Sequence, residues 1–138
     1  MKIISCLLIS FSFMFSIPSE AQISQEKLIP YSSYIVNSNL VFLSGEIAGK
    51  PTTGAYKNFK SEVKKTIENV SSSLELAGSS LDKVISVTVY LKDIKQFDEF
   101  NEIYLDYFKA PYPTRTCVGV NGLVLNANIE ITVIATKN

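Results

Sequence analysis

The sequence predicts an α+β two-layer sandwich: a mixed β-sheet with two helices on one face. Three observations lead there. Phe59, Val63, Ile67, Val70 and Leu74 recur at spacings of 4, 4, 3 and 4, which marks one face of a helix. Val84 to Leu91 alternates apolar and polar side chains, the period of a strand. Around these two segments the chain reads strand, strand, helix, strand, helix, strand, strand.

Residues 1–21 read as a signal peptide and residues 22–138 as the folded domain. Lys2 supplies a short positive start, Ile3 to Ile17 is apolar apart from Ser and Cys, and Ser19-Glu20-Ala21 puts small residues where a signal peptidase reads them. The apolar run is short of the ~20 residues that span a bilayer, and no apolar region precedes Cys6 as a lipoprotein signal requires. The expected location is periplasmic or secreted, with no membrane association after cleavage. Cleavage before Gln22 leaves 117 residues, one domain that buries roughly two-thirds of its unfolded surface. It also leaves 12 cations against 12 anions, so neither nucleic acid nor a lipid surface is an expected partner. Cys117 becomes the sole cysteine, without an internal disulfide.

Tyr34 to Val36 and Val41 to Leu43 are short strands joined through Asn37-Ser38-Asn39, a hairpin. Ser44-Gly45-Glu46 closes the second strand, where Gly45 is either a turn glycine or a point of close backbone approach. Lys50 to Gly54 is a loop. The helix runs from about Lys57 to Ala77 and stops at Gly78, an αL cap, with Lys60, Glu62, Lys64, Lys65 and Glu68 on its solvated face. Ser79 to Lys83 connects to the strand Val84–Leu91, whose Ile85, Val87, Val89 and Leu91 are expected to face the helices. Ser86, Thr88 and Tyr90 lie on the other face, which meets solvent or another subunit. Asp93 with Gln96 forms a capping box for a second helix, along which Phe97, Phe100, Tyr104 and Tyr107 or Phe108 line a core stripe. Asn101 lies beside that stripe.

Chemistry is expected in Tyr112 to Val120 and in the strand Asn128 to Thr132. Arg115 is the one arginine among 13 cationic side chains. It is either a compositional accident, half of a surface ion pair, or the planar fork that grips a carboxylate at two points. Pro111 and Pro113 end the preceding helix and set Arg115 at the start of a strand, a rigid support. Glu130 sits among Ile129, Ile131, Val133 and Ile134, where a carboxylate is paired, half exposed or functional. A carboxylate receptor with a proton acceptor is a minimal site for a small organic acid, and sequence adjacency suggests that their two strands pair as a hairpin. With no histidine in the chain, Ser-His-Asp triads and HExxH zinc helices are excluded, and no glycine-rich phosphate loop occurs. No metal or cofactor is expected.

Pro30-Tyr31-Ser32, Ser44-Gly45, Ala77-Gly78-Ser79-Ser80-Leu81-Asp82, Val87-Thr88-Val89-Tyr90-Leu91, Asn101-Glu102-Ile103-Tyr104, Pro113-Thr114-Arg115-Thr116 and Ile129-Glu130-Ile131 occur in this order. In sequence and spacing they resemble the RidA/YjgF family of small enamine and imine deaminases. The resemblance implies a chorismate-mutase-like fold and a homotrimer with sites in the clefts between subunits. It also implies a sheet order that separates the strands of Arg115 and Glu130. Carried over, Arg115 would bind the substrate carboxylate and Glu130 would position or activate water. Tyr31, Ser44, Gly45, Asn101 and the backbone at Cys117 would complete the pocket. Cys117 as a nucleophile is the weaker reading, since no histidine is present to activate it. The chain departs from the family pattern at Ile29, Glu46, Val124 and Thr132 and in its short loop after Gly45, changes expected to touch the pocket rim.

The leading functional expectation is cofactor-free hydrolysis of a 2-imino or enamine acid, of the 2-aminoacrylate or 2-iminobutanoate type, to a 2-oxo acid and ammonia. An imine carbon is already electrophilic, so the protein need only hold the carboxylate and orient one water. The alternative is a non-catalytic module that binds or senses a small carboxylate in the same cleft. Ribonuclease activity, also associated with the family, suits a neutral chain without histidine poorly.

Overall fold

In the computed structural model the described residues are 30–49 and 56–138; the expected signal peptide, Ile29 and the Lys50 to Gly54 loop lie outside them. Five strands and two helices follow the expected order: β1 Tyr34–Asn37, β2 Leu40–Leu43, α1 Phe59–Leu76, β3 Val84–Leu91, α2 Phe97–Tyr107, β4 Thr114–Gly119 and β5 Ile129–Thr136. The sheet order is β1-β2-β5-β3-β4, with β3 and β4 parallel and the other neighbours antiparallel. β4 and β5 are therefore not a hairpin. The 3-10 turn Val124–Asn126 between them, with Leu125 and Asn126 at positive φ, leads the chain past β3 before β5 begins.

α1 starts at Asn58, whose side chain accepts from the Ser61 amide while the Ser61 hydroxyl accepts from the Asn58 amide. It ends as the glycine predicts. Gly78 takes a left-handed φ of 78°, and Ser79 and Gly78 donate to the carbonyls of Leu74 and Glu75, a Schellman closure. Its apolar stripe packs on Val41 of β2, Val87 and Val89 of β3, and Ile129, Ile131 and Val133 of β5, with Phe100, Ile103 and Tyr104 of α2 closing the same core. Removing one of these side chains, as in Ile67→Ala, would cost about 2–5 kcal/mol.

Three local expectations are corrected. Glu62 is not on the solvated face but fully buried. Its carboxylate accepts from the Asn128 amide at 2.8 Å and from Asn128 Nδ2 at 2.7 Å, pinning the entry to β5 against α1. Ile85 is 46% exposed, and Val84 takes its place in the core. The β3–β5 register shifts between Val84 and Ser86, and such a bulge reverses which side chain points inward. Asp93 caps a 3-10 turn, Ile94–Gln96, by accepting from the Lys95 amide, and α2 begins at Phe97 without a side-chain cap from Gln96.

Among the described residues no helix covers the other sheet face. Register places Ser86, Thr88, Tyr90, Thr132 and Ile134 there, together with exposed Ile35, Phe42 and Val118.

Candidate active site

Arg115 pairs in register with Val87 on β3, so it projects to the helix side of the sheet. There α2 presents three rings to it. The guanidinium carbon lies 4.6 Å from the Tyr104 ring centre, 5.4 Å from Phe100 and 5.6 Å from Phe97. Among the described residues Arg115 joins no ion pair. It borders a cleft of about 420 Å³ with Asn101, Tyr104, Leu105, Tyr112 and Pro113. Two polar atoms of that wall, Asn101 Oδ1 and the Tyr104 hydroxyl, are buried without a partner. Burial raises the Tyr104 phenol above its ordinary value, against the lowering pull of Arg115. The resemblance points to Asn101 as a pocket residue, whereas the helical stripe places Tyr104 in the core, so the sequence shows this α2–β4 contact only in part.

Cys117 follows Arg115 on the same face, half-buried beside the core. Burial raises its thiol pKa and the Arg115 charge lowers it less. The thiol is thus kept protonated, which agrees with a backbone role rather than a nucleophilic one.

Glu130 belongs to the opposite face. It pairs with Tyr90, whose side chain points away from the helices. Its carboxylate lies over Gly45: a Cβ placed on that glycine would collide with Glu130 Oε1 and sit 2.7 Å from Cδ. Gly45 is therefore a point of close approach and not merely a turn residue. Burial raises the Glu130 carboxyl above its ordinary value of 4.5. Ser44 holds the neighbouring segment, its amide donating to the Ser33 carbonyl and its hydroxyl to the Ser32 carbonyl at 2.7 Å. Tyr31, next in the chain, is 66% exposed. Thr132, one of the departures, donates to the Leu43 carbonyl at 2.6 Å. Glu46, another, is not at the pocket rim as expected: its Oε1 accepts from Ser73 on α1 at 2.6 Å, on the helix side.

The predicted site residues thus fall into two groups within one chain, Arg115, Asn101 and Cys117 on the helix side and Glu130, Gly45 and Ser44 toward the open face, while Tyr31 is exposed and in neither group. Arg115 and Glu130 are two strands apart, about 10 Å, and three residues apart along the strand direction, about 10 Å more. A three- or four-carbon acid cannot touch both within a single subunit. The two groups can serve one ligand only if a second copy brings its Glu130 face to the Arg115 cleft.

The family described as endoribonuclease L-PSP matches residues 23–137. The chain is 43% identical over 111 residues to a RutC family protein of Aquifex aeolicus, covering 78% of this chain and 89% of that one. It is 39% identical over 109 residues to the chloroplastic Reactive Intermediate Deaminase A of Arabidopsis thaliana, covering 78% and 58%. Among solved structures, E. coli TdcF with bound serine superposes with a TM-score of 0.72 at 33% identity, over 80% of this chain and 91% of that one.

Proposed function

This chain belongs to the endoribonuclease L-PSP family, which includes reactive-intermediate deaminases, and we propose that it hydrolyses small 2-imino or enamine acids to 2-oxo acids and ammonia. The observation that carries the proposal is the state of Arg115: a lone arginine at a cleft, paired with no carboxylate among the described residues, and so free to take the carboxylate of a ligand.

The reaction needs a receptor, a water and a proton carrier. Arg115 holds the substrate carboxylate, and Asn101 and the Cys117 backbone frame the imine carbon. Glu130 of a second subunit takes a proton from the attacking water as its oxygen bonds to that carbon. That proton passes from the Glu130 carboxyl to the imine nitrogen, giving the neutral carbinolamine; the same carboxylate then carries the hydroxyl proton to the nitrogen as the C=O bond forms, the C–N bond breaks and ammonia leaves. A carboxyl raised by burial suits this exchange, because a base poised nearer the working pH both accepts and returns the proton.

The assembly that unites the halves is, on this reading, a homotrimer closed through the bare sheet face. Its support is that face's exposed Ile35, Phe42 and Val118 and the division of the site. RNA cleavage has less support, since the chain lacks histidine and carries no net charge.

The test is ammonia release from 2-iminobutanoate generated enzymatically, measured against a protein-free control. Release well above the control is expected. The alternative reading, a carboxylate-binding module, draws on the relative whose structure holds serine. It takes over if release equals the control while 2-oxobutanoate still binds.

A further inference from the structure

We propose that Tyr104 is the positioning residue of this site: its ring holds the Arg115 guanidinium over an aromatic cradle, leaving the guanidinium donors for the substrate carboxylate. The inference rests on the reading of Arg115 as the carboxylate receptor, and it adds the reason why that side chain is ready before a ligand arrives.

A carboxylate paired with an arginine occupies part of its donor fork. Arg115 has no such partner among the described residues. What it has is three rings of α2, with Tyr104 nearest at 4.6 Å. A guanidinium resting on ring faces is attracted by their negative quadrupole. Its N–H donors lie in its own plane and remain unspent.

The cradle is rigid where the arginine is not. Phe100 is fully buried and Tyr104 is 4% exposed. Tyr104 is further fixed by stacking on Phe108 at 4.3 Å and by a tilted contact with Phe100 at 5.5 Å. Positions 97, 100 and 104 are three and four residues apart, so one helix face presents all three rings. β4 delivers Arg115 to them from the sheet, whereas the arginine itself is exposed. A long, mobile side chain is thereby given one preferred resting place beside the cleft, which lowers the ordering cost of binding.

The hydroxyl is not what this role uses. It is buried without a partner, and phenylalanine would present the same ring face. This separates the proposal from a simple packing role and from a hydroxyl-mediated one.

The experiment compares wild type with Tyr104→Phe and Tyr104→Leu. Because the chain has a single arginine, its Nε–H gives one assignable NMR resonance. In ligand-free wild type that resonance is expected to be shifted upfield of its position in the urea-unfolded chain by the ring currents. It should stay there in Tyr104→Phe and return at least halfway in Tyr104→Leu. Binding of 2-oxobutanoate should weaken by roughly 3- to 30-fold in Tyr104→Leu and stay within about twofold of wild type in Tyr104→Phe. With an imino acid the loss should appear in KM, with kcat nearly unchanged. If Tyr104→Leu does not fold, Phe97→Leu, at the half-buried end of the cradle, carries the same test with a smaller expected change. An unshifted wild-type resonance, or a Leu variant that binds like wild type, overturns the proposal. So does a Phe variant as weak as Leu, which would assign the effect to the hydroxyl. Because the resonance is read without substrate, a protein that released no ammonia would remove the deaminase reading and leave the cradle standing.

Discussion

Gly45→Ala isolates the Glu130 half of the site from the Arg115 half. The added Cβ would collide with Glu130 Oε1 and stand 2.7 Å from Cδ and 3.0 Å from Cγ. Carbon atoms in ordinary contact sit about 3.5–4.0 Å apart, so the carboxylate must retreat by about 1 Å or rotate away. Gly45 is not among the residues of positive φ, so alanine adds no backbone strain and the change acts through contact alone. A displacement of that size at a group that must meet a water is worth about 100-fold in rate, or about 2.7 kcal/mol of transition-state stabilisation. In the proposed mechanism the ground-state carboxylate is gripped by Arg115, which lies on the other sheet face, so binding should hardly change. Steady-state ammonia release should therefore show a kcat about 100-fold lower, while calorimetric titration with 2-oxobutanoate gives an affinity within about threefold of wild type. A variant with normal kcat and unaltered thermal stability would refute the assignment of Glu130. One that lost affinity and rate together would show that the two halves do not act separately.

Arg115→Lys keeps the charge and loses the two-point fork. Since a hydrogen bond to a charged group is worth ~1.5–3 kcal/mol, 2-oxobutanoate affinity should fall roughly 10- to 150-fold by calorimetry. Glu130→Gln should be more stable than wild type at pH 7. Burial raises the folded carboxyl above its ordinary value, so that group's contribution is most favourable below the unfolded pKa and is lost as pH rises through the folded one. The gap in melting temperature between variant and wild type should close below about pH 4, and a gap that widened in acid would reverse the sign of the argument. Glu62→Ala removes two hydrogen bonds to a buried carboxylate and should lower unfolding stability by about 3 kcal/mol, seen as a lower urea midpoint at unchanged m-value. Light scattering should give three times the chain mass, and the mature chain recovered from its host should begin at Gln22 by mass spectrometry; a monomer would dismantle the shared site, and a retained leader would end the export proposal.

How far the sequence carried these conclusions depended on whether a feature was local. The helix stripe, the αL stop at Gly78, the β1–β2 hairpin and the start of β4 at Thr114 are set by near neighbours and were legible. Glu62 was not, because its charge places it on the solvated face, whereas its spacing of three residues from Phe59 and four from Thr66 sets it among the buried residues of the helix. The bulge before Ser86 was not, because alternation within β3 carries no record of the register it keeps with β5. The site shows the same limit in a sharper form. Residue types marked Arg115 and Glu130 as receptor and acceptor, yet nothing in one strand's pattern tells which face the other strand turns outward. The pairing Val87 with Arg115 and Tyr90 with Glu130 decides it, since positions 87 and 90 of one strand point to opposite sides. A site divided by that parity cannot be completed by any side-chain rearrangement within the subunit. If the proposed assembly forms, the open sheet face becomes part of the chemistry: a substitution there such as Phe42→Asp should abolish turnover by preventing the copies from meeting.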